Sequence, residues 1–419
     1  MLFRSENIVL FGDLENVPGS GIIRKPVPKE YPTDVYQLGF QRDLTEQFNL
    51  HLYYQSKLQE PYFQPDTGRE VELGNSFRRR IERKVYGVKS KYAFTPQAIL
   101  SFGAEHSLDK SQVLNRVTHS GSPDTFGDGS DVNTISNNAI FSQIDTTTSL
   151  ANFTAGLRYD APSVSRSTLV PRLGVTKVMG KSHVKALYAQ AFRAPVIENI
   201  SLNKKIKPEI TTTAEIEYGY QFDKNFSWNV NFFSTQVDDV IVYSYDVASN
   251  SEKYNNYDRV KTFGVETDLR FKKGKHDVSF NYSTYQVDQL DAVPFKTNID
   301  TSAFVGAPRH KIYVNDAVAL TENLSLTPSM TYLADTNGNV WNGSQFVAKK
   351  LADQLITNVF LNYKNLFTPG LEVGGGINNL LNSEVFYAQP YVHEGDLRAG
   401  SYPGQSREYI VRIGYSHEF

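Results

Sequence analysis

The chain of 419 residues contains no cysteine. This absence excludes disulfide bonds, thiolate metal sites and a cysteine nucleophile. Nor is there a stretch of about 18 consecutive apolar residues, so the sequence excludes a transmembrane helix of ordinary length. A chain of this kind can cross a bilayer only with strands closed into a barrel, because lipid offers no partner to unpaired backbone groups.

Strong net charge is also lacking. The formal net charge is -2, which leaves no broad basic field and predicts no nucleic-acid partner. No linker rich in proline, glycine and serine divides the chain, so we predict one large architecture rather than several soluble domains.

Aromatic residues are abundant in an otherwise polar chain. It contains 25 tyrosines and 26 phenylalanines, and 21% of its residues are charged. Residues 209–235 show how the two are arranged, because they alternate strictly between an apolar and a polar face. The apolar face carries Ile210, Thr212, Ala214, Ile216, Tyr218, Tyr220 and Phe222, and after a turn Phe226, Trp228, Val230 and Phe232. A period of two predicts strands, and aromatics gathered at one end of both strands are typical of a membrane interface.

Alternation and turn residues predict about 18 strands along the chain. Short turns join eight pairs: 35–43 with 47–58, 82–94 with 97–107, 136–147 with 150–160, 168–179 with 181–192, 209–222 with 226–243, 258–272 with 275–289, 307–320 with 324–335, and 350–364 with 370–380. Long polar segments separate them: 59–81, 108–135, 193–208, 244–257, 290–306, 336–349 and 381–405. Strict alternation of short and long connections is typical of outer-membrane barrels, with short periplasmic turns and long extracellular loops.

Six short motifs follow one another in a fixed order. They are Gly156-Leu157-Arg158-Tyr159-Asp160, Phe192-Arg193-Ala194-Pro195, Lys207-Pro208-Glu209, Gly264-Val265-Glu266, the run from Ile377 to Asn382 with Tyr387, and Pro403-Gly404-Gln405-Ser406-Arg407-Glu408. Each is weak alone. Together, at these strand ends and loops, they resemble the TonB-dependent outer-membrane receptors.

The resemblance implies a fold, a location and a mechanism. Receptors of this family have a 22-stranded barrel around an N-terminal plug. We therefore expect residues 35–419 to form an incomplete receptor barrel and residues 1–34 a partial first strand and an extracellular loop. The plug, the TonB box, the signal peptide and about four strands are expected to lie outside this chain, through a fragment or misplaced start, a separately encoded half, or a plugless pore. The implied location is the outer membrane of a Gram-negative bacterium.

The same resemblance implies partners and roles for individual residues. The partners are outer-membrane lipid, a small nutrient ligand such as a metal chelate, TonB acting through the plug, and the barrel-assembly machinery. We expect the inner wall or family motifs to include Arg158, Arg193, Pro195, Glu209, Glu215, Glu217, Glu266 and Arg407. Ligand-contact candidates in the last long loop are Tyr387, Tyr391, His393 and Arg398. Tyr415 and the terminal Phe419 resemble the C-terminal assembly signal of outer-membrane barrels.

No arrangement of residues indicates catalysis or a cofactor. Glu215 and Glu217 resemble an acid/base pair, but neither a nucleophile with an orienting base nor a G-x-S-x-G or H-E-x-x-H motif accompanies them. The histidines lack ligand spacing, and Asp124, Asp128 and Asp131 lack the spacing of a calcium loop. We predict no enzyme activity, no metal site and no cofactor.

Three functions remain open at this stage. The leading hypothesis is TonB-dependent active uptake of a scarce nutrient of the iron-siderophore, haem or cobalamin class. The alternative is a passive outer-membrane diffusion porin without a plug. A soluble all-β binding protein is the third, and it requires the aromatic clusters to be coincidental.

Overall fold

The computed structural model describes residues 2–5, 8–17, 21–30, 32–60, 77–116, 125–246, 251–292, 299–300, 302–341, 346–387 and 402–416. These residues form 24 strands and one helix, α1 (Ile197–Leu202). No helix among them is long and apolar enough to cross a membrane.

The first half of the chain contains β1 (Leu2–Ser5), β2 (Ile8–Val17), β3 (Gly21–Glu30), β4 (Thr33–Asp43), β5 (Phe48–Gln59), β6 (Phe77–Thr95), β7 (Ala98–Arg116), β8 (Val132–Thr147), β9 (Asn152–Pro162), β10 (Thr168–Met179), β11 (Ser182–Arg193) and β12 (Glu209–Asp223). The second half contains β13 (Phe226–Asp246), β14 (Ser251–Lys273), β15 (His276–Leu290), β16 (Pro308–Asp316), β17 (Val318–Ala319), β18 (Leu324–Trp341), β19 (Phe346–Lys350), β20 (Gln354–Lys364), β21 (Leu371–Asn378), β22 (Phe386–Tyr387), β23 (Tyr402–Pro403) and β24 (Glu408–Tyr415).

One sheet of 20 strand segments contains most of them. From β4 to β16 each strand pairs antiparallel with the next, and β18, β20, β21 and β24 continue the series. β1 pairs with β4, β17 continues β16, and β19 extends only the end of β18. The prediction of an all-β antiparallel fold with about 18 strands is confirmed. β2 with β3, and β22 with β23, form separate hairpins.

All eight predicted short connections occur, and they lie at one end of the sheet. The turn between β10 and β11, for example, leaves only Gly180 and Lys181 between the strands. The division of the chain at residue 34 stays a prediction. In the structure β1 belongs to the large sheet, whereas β2 and β3 pair only with each other among the described residues.

Several predicted long loops are wrong in part. The segments 59–81 and 108–135 contain the paired ends of β6 and β7. The segments 244–257 and 336–349 also contain continued strands, because β13 and β14 stay paired as far as Asp246 and Ser251, and β18 continues to Trp341 opposite β19. Polar composition suggested loops there. The ladder persists because backbone hydrogen bonds between strands do not require apolar alternation. Tyr243 and Tyr254 add a cross-strand ring contact with centroids 5.4 Å apart.

Hydrogen bonds that skip a strand identify the concave side of the sheet. The Tyr53 hydroxyl on β5 donates to Glu105 on β7 across 2.8 Å, and Arg158 on β9 reaches the same carboxylate at 3.3 Å. Strands two apart are separated by roughly 9.5 Å, so these side chains meet only inside a curved wall. Their faces are therefore the inner wall, and Ile216 and its neighbours at every second position lie outside.

The outer wall exposes large apolar side chains. Examples are Ile216, which is 59% exposed, and Leu173, which is 52% exposed. The buried apolar clusters instead lie towards the long-loop end. One contains Val242, Val287, Leu290 and Ala292, and the other contains Phe126, Ile135 and Ile197. This distribution, apolar outside and polar inside, suits a wall that stands in lipid.

Candidate functional site: the inner wall and the long-loop end

A charged network surrounds Arg158 on the inner wall. Its guanidinium contacts both Asp160 oxygens at 2.8 and 3.0 Å, and the Asp160 side chain is 1% exposed. Asn137 donates to the same carboxylate at 2.7 Å. A buried carboxylate needs such donors to offset its lost hydration. Arg158 lies on the inner face, where its contacts link strands β7 to β9.

Arg193 and Glu209 meet across the ends of β11 and β12. The register places them opposite each other, and the side chains form an ion pair. Glu209 is buried and also accepts a hydrogen bond from the Ile241 amide at 2.6 Å. Pro195 and Pro208 are fully buried on either side of α1. The two proline motifs thus close a fixed loop rather than forming an open pocket.

The acidic residues of β12 have different surroundings. Glu217 lies 2.9 Å from His183 on the neighbouring strand, whereas among the described residues no hydrogen bond or ion pair involves Glu215. Glu266 lines an inner-wall cavity of about 750 Å³ with Asn229, Asn231 and Asp268. Glu217, Ser283 and Lys311 also line this cavity. The arrangement provides a polar lining that can hydrogen-bond a solute or another protein segment.

Aromatic rings cover glycines on the inner wall. Tyr53 lies over Gly87, Phe233 over Gly264, and Phe360 over Gly374 and Gly376, so closely that a methyl group on any of these glycines would overlap the ring. Among the described residues, two other glycines of this face lack such a ring. At Gly156 the nearest side-chain atom would lie at an ordinary 3.4 Å, and no described atom lies within 4 Å at Gly414.

Helix α1 is attached to the strands beside it. Its Glu198 pairs with Arg79 of β6 at 2.6 Å, and the Arg79 guanidinium lies 5.3 Å from the Phe126 ring centroid. Ile197 joins Phe126 and Ile135 in a buried cluster. The long segment 193–208 is therefore a packed element at the mouth of the wall.

A second network at this end was not predicted. Arg309 bonds to Asp300 and lies 3.3 Å from Asp335, which also pairs with Lys350 at 2.8 Å. The Ser302 amide and hydroxyl both donate to Asp300, at 2.8 and 2.6 Å. The pattern Asp300-Thr-Ser302 is a local turn signal. Nothing in sequence spacing indicates the partners Arg309, Asp335 and Lys350.

These contacts set the acidity of Asp300. The hydrogen bonds from Ser302 lower the pKa of Asp300 below its usual value, against an opposing effect of desolvation, and Arg309 lowers it further. Similarly, the hydrogen bond from the Tyr332 hydroxyl lowers the pKa of Asp353. Both carboxylates are thus held ionised in the folded loops.

Two asparagines organise the last motif loop. Asn379 is 3% exposed and adopts φ +49°; its side chain accepts from the Ser383 amide and donates to the Ser383 and Gln405 carbonyls. Asn382 accepts from the Arg407 amide at 3.1 Å. Arg407 is exposed. The motifs therefore join the two sides of this loop.

Of the four predicted ligand-contact residues, the structure describes Tyr387. Tyr387 is 60% exposed on β22, which pairs with β23. Tyr391, His393 and Arg398 lie outside the described residues, as does the predicted assembly residue Phe419. Tyr415 lies on the outer face of β24 and is 63% exposed. The ligand and assembly roles of these residues stay predictions.

No metal site is found in the described part of the chain, where no group of three or more histidines and carboxylates could hold an ion. Asp128 and Asp131 are described and Asp124 is not. Asp128 accepts from the amide and hydroxyl of Ser130, which is the geometry of a turn.

A family model described as the β-barrel of TonB-dependent receptor-like proteins matches residues 7–380. No curated protein sequence matches the chain. Two solved structures with a similar fold are the FrpB iron transporter from Neisseria meningitidis (16% identity, TM-score 0.71) and the siderophore receptor PirA from Acinetobacter baumannii (16% identity, TM-score 0.70).

A third similar structure is a mutant ferric enterobactin receptor, PfeA, from Pseudomonas aeruginosa in complex with enterobactin, with 14% identity and a TM-score of 0.66. The alignments cover 99%, 94% and 97% of this chain and 68%, 64% and 73% of FrpB, PirA and PfeA respectively. The chain thus spans about two thirds of their length. The family match and the similar folds confirm the predicted fold class, an antiparallel β-barrel of the outer-membrane type.

Proposed function

Since this chain belongs to the TonB-dependent receptor family through its β-barrel, we propose that it forms the wall of an outer-membrane receptor for TonB-dependent uptake of a scarce nutrient. The match over residues 7–380 carries this proposal. Family members are transporters, so the chain is not an enzyme. The inner-wall glutamates Glu215 and Glu217 accordingly have a lining role rather than a catalytic one.

The proposed nutrient is iron carried as a small chelate. Support comes from the similar structures, which are named as an iron transporter, a siderophore receptor and a ferric enterobactin receptor. Haem and cobalamin are the other candidates. Hydroxyl, imidazole and guanidinium groups at Tyr387, Tyr391, His393 and Arg398 would donate hydrogen bonds to the oxygens of an anionic chelate.

The proposed mechanism uses the wall as a fixed frame. The nutrient binds at the long-loop end, which faces the cell exterior in this orientation. TonB, acting through a plug domain, then opens a path along the polar inner wall past Glu217 and Glu266. The ion pairs of Arg158 and Arg193 keep the strands in register while the path opens, and the apolar outer face contacts lipid.

Uptake of radiolabelled ferric chelates by cells with and without the gene tests this function. We expect gene-dependent accumulation under iron limitation that stops when TonB is deleted or the proton gradient is collapsed. Accumulation that persists without TonB, together with unselective passage of small solutes through liposomes containing the protein, would instead indicate a passive porin.

A further inference from the structure

A groove of about 920 Å³ crosses the outer face of strands β4 to β9. Cross-strand register aligns its residues in rows. One row runs from Leu52 through Val88, Ala104 and Ile140 to Tyr159, and the row nearer the long loops runs from Tyr54 through Tyr86 and His106 to Asn138. The groove therefore has an apolar part and a polar edge.

The apolar part has the shape of a channel. Its floor is formed by the small residues Val88 and Ala104, while the larger side chains of Phe40, Leu52 and Ile140 stand 54%, 44% and 61% exposed beside them. A flexible hydrocarbon chain fits such a depression, because its methylene groups make van der Waals contacts with the floor and with both sides.

The polar edge is unusual for a lipid-facing wall. The Tyr54 and Tyr86 rings lie 5.0 Å apart, Tyr86 and His106 lie 6.4 Å apart, and His106 Nδ1 is 2.9 Å from Asn138 Oδ1. This row, which we call the polar rim, places two hydroxyls, an imidazole and an amide side by side. Such groups on an outward face favour a headgroup that can accept hydrogen bonds.

Positive charge lies just beyond the polar rim. On β6, Lys84 lies two residues nearer the long loops than Tyr86, and it pairs with Glu82 at 2.8 Å. Lys110 on β7 lies opposite Glu82, is exposed, and makes no ion pair with a described residue. Two lysines with one carboxylate between them leave a net positive charge where headgroups would lie.

We propose that this groove binds one anionic lipid, with an acyl chain along Val88 and Ala104 and a phosphorylated headgroup at the polar rim below Lys84 and Lys110. The tyrosine hydroxyls and the Asn138 amide donate hydrogen bonds to the phosphate oxygens, and the lysines add charge complementarity. The inference rests on the proposed membrane location of the barrel.

A second outer groove provides the comparison. It has a volume of about 470 Å³ and lies across β10 to β13, with Ala186 between Val175 and Ile216 in the register. Its lining includes Leu173, Tyr188 and Phe232, without a lysine or histidine. A lipid chain can lie there, but nothing in its lining selects an anionic headgroup.

Native mass spectrometry of the chain purified in detergent tests the site. Phosphatidylglycerol and phosphatidylcholine with identical acyl chains are titrated separately, and inorganic phosphate is a third arm. We expect one phosphatidylglycerol to be retained at least about tenfold more tightly than phosphatidylcholine, because both present a phosphate to the polar rim but Lys84 and Lys110 repel the choline cation. Ala104→Trp, which fills the groove, abolishes this retention, whereas Ala186→Trp in the second groove leaves it unchanged.

A combined Tyr86→Phe and His106→Leu variant keeps the groove but removes two of the four polar groups of the polar rim. We expect it to hold both lipids about tenfold more weakly, from one or two lost charged hydrogen bonds to the phosphate that they share, which distinguishes headgroup recognition from chain packing. Equal retention by Ala104→Trp and the unmodified chain, a site occupied by phosphate without a lipid chain, or a groove filled by a second copy with a dimeric mass would each overturn the proposal. If these variants reach the outer-membrane fraction as folded barrels, such results contradict only the lipid site; absence of the unmodified protein from that fraction contradicts the proposed function.

Discussion

On the inner wall, several aromatic rings pack directly against glycine residues. At Gly264 a side chain would overlap the Thr284 carbonyl oxygen as well as the Phe233 ring. This packing covers the backbone on the polar face and keeps large rings within the wall. A ring placed this way contributes dispersion contacts without narrowing the lumen.

Substitution of Gly264 tests this packing. We expect Gly264→Ala to destabilise the folded barrel by about 1–3 kcal/mol, because the new methyl group displaces the Phe233 ring and also overlaps the Thr284 carbonyl oxygen. Urea unfolding in lipid vesicles measures the change. Gly156→Ala on the same face is the control, and it should alter the free energy of unfolding by less than about 1 kcal/mol, since the nearest side-chain atom lies at 3.4 Å. Similar costs for both variants would contradict the role of the ring.

The two faces of β12 give a second test at single residues. Ile216→Arg places a charge on the lipid-facing side near mid-strand, and we expect a cost of about 2–4 kcal/mol. Thr213→Arg places the same charge on the inner wall and should cost much less, because water solvates it there. Unfolding in vesicles of defined thickness measures both. Equal costs would show that the assigned faces are wrong.

At the scale of elements, the sequence predicts which strands pair, but it does not predict how far the strands extend at the long-loop end. The hairpin β12–β13 follows from alternation, because its apolar residues face lipid and its glutamates face the lumen. Beyond the bilayer both faces are wet, so the alternation that identifies a strand disappears, and the ends of β13 and β18 were taken for loops. The cross-strand register that aligns His106 with Asn138, or brings Arg309 to Asp335, is likewise a property of pairing that no local pattern encodes.

The network around Asp300 predicts how one long segment responds to acid. Its lowered pKa means that the carboxylate contributes stability fully above the ordinary aspartate pKa, near about pH 4, and that this contribution is lost as pH falls through the lower native value. We expect hydrogen exchange at the Ser302 amide, corrected for intrinsic rate, to accelerate only below about pH 4.

Asp300→Asn is the matched variant for this experiment. Without a titrating carboxylate, exchange at Ser302 should show no acceleration between neutral pH and about pH 3 beyond the intrinsic dependence. An identical acid response in the variant would show that another group, such as Asp353, controls this segment.

At the scale of the whole molecule, we expect assembly of the large sheet to depend on β24. β24 pairs with β21 through all eight of its residues. Its outer face carries Tyr409, Val411, Ile413 and Tyr415, which are between 63% and 77% exposed. An apolar outer face on the final strand suits recognition by the barrel-assembly machinery.

Removal of Phe419 tests that assembly role. We expect the deletion to lower the amount of folded, heat-modifiable protein in the outer-membrane fraction several-fold while leaving ligand affinity of the assembled protein unchanged. Phe367→Ala is the control, since Phe367 is 94% exposed at a short turn and its ring packs little against the protein. Unchanged yield after the deletion would contradict the assembly role.

The lengths of β13 and β14 determine how far the sheet extends beyond its apolar band. β13 has 21 residues, which extend roughly 70 Å and, at the usual tilt, rise roughly 50 Å. An apolar band is only about 25 Å tall. In the proposed membrane location, about half of the strand would therefore extend beyond the apolar band, still hydrogen-bonded to its neighbour. A large molecule that approaches such a cell would meet a hydrogen-bonded strand ladder, whose backbone shape should change less on side-chain substitution than that of a free loop.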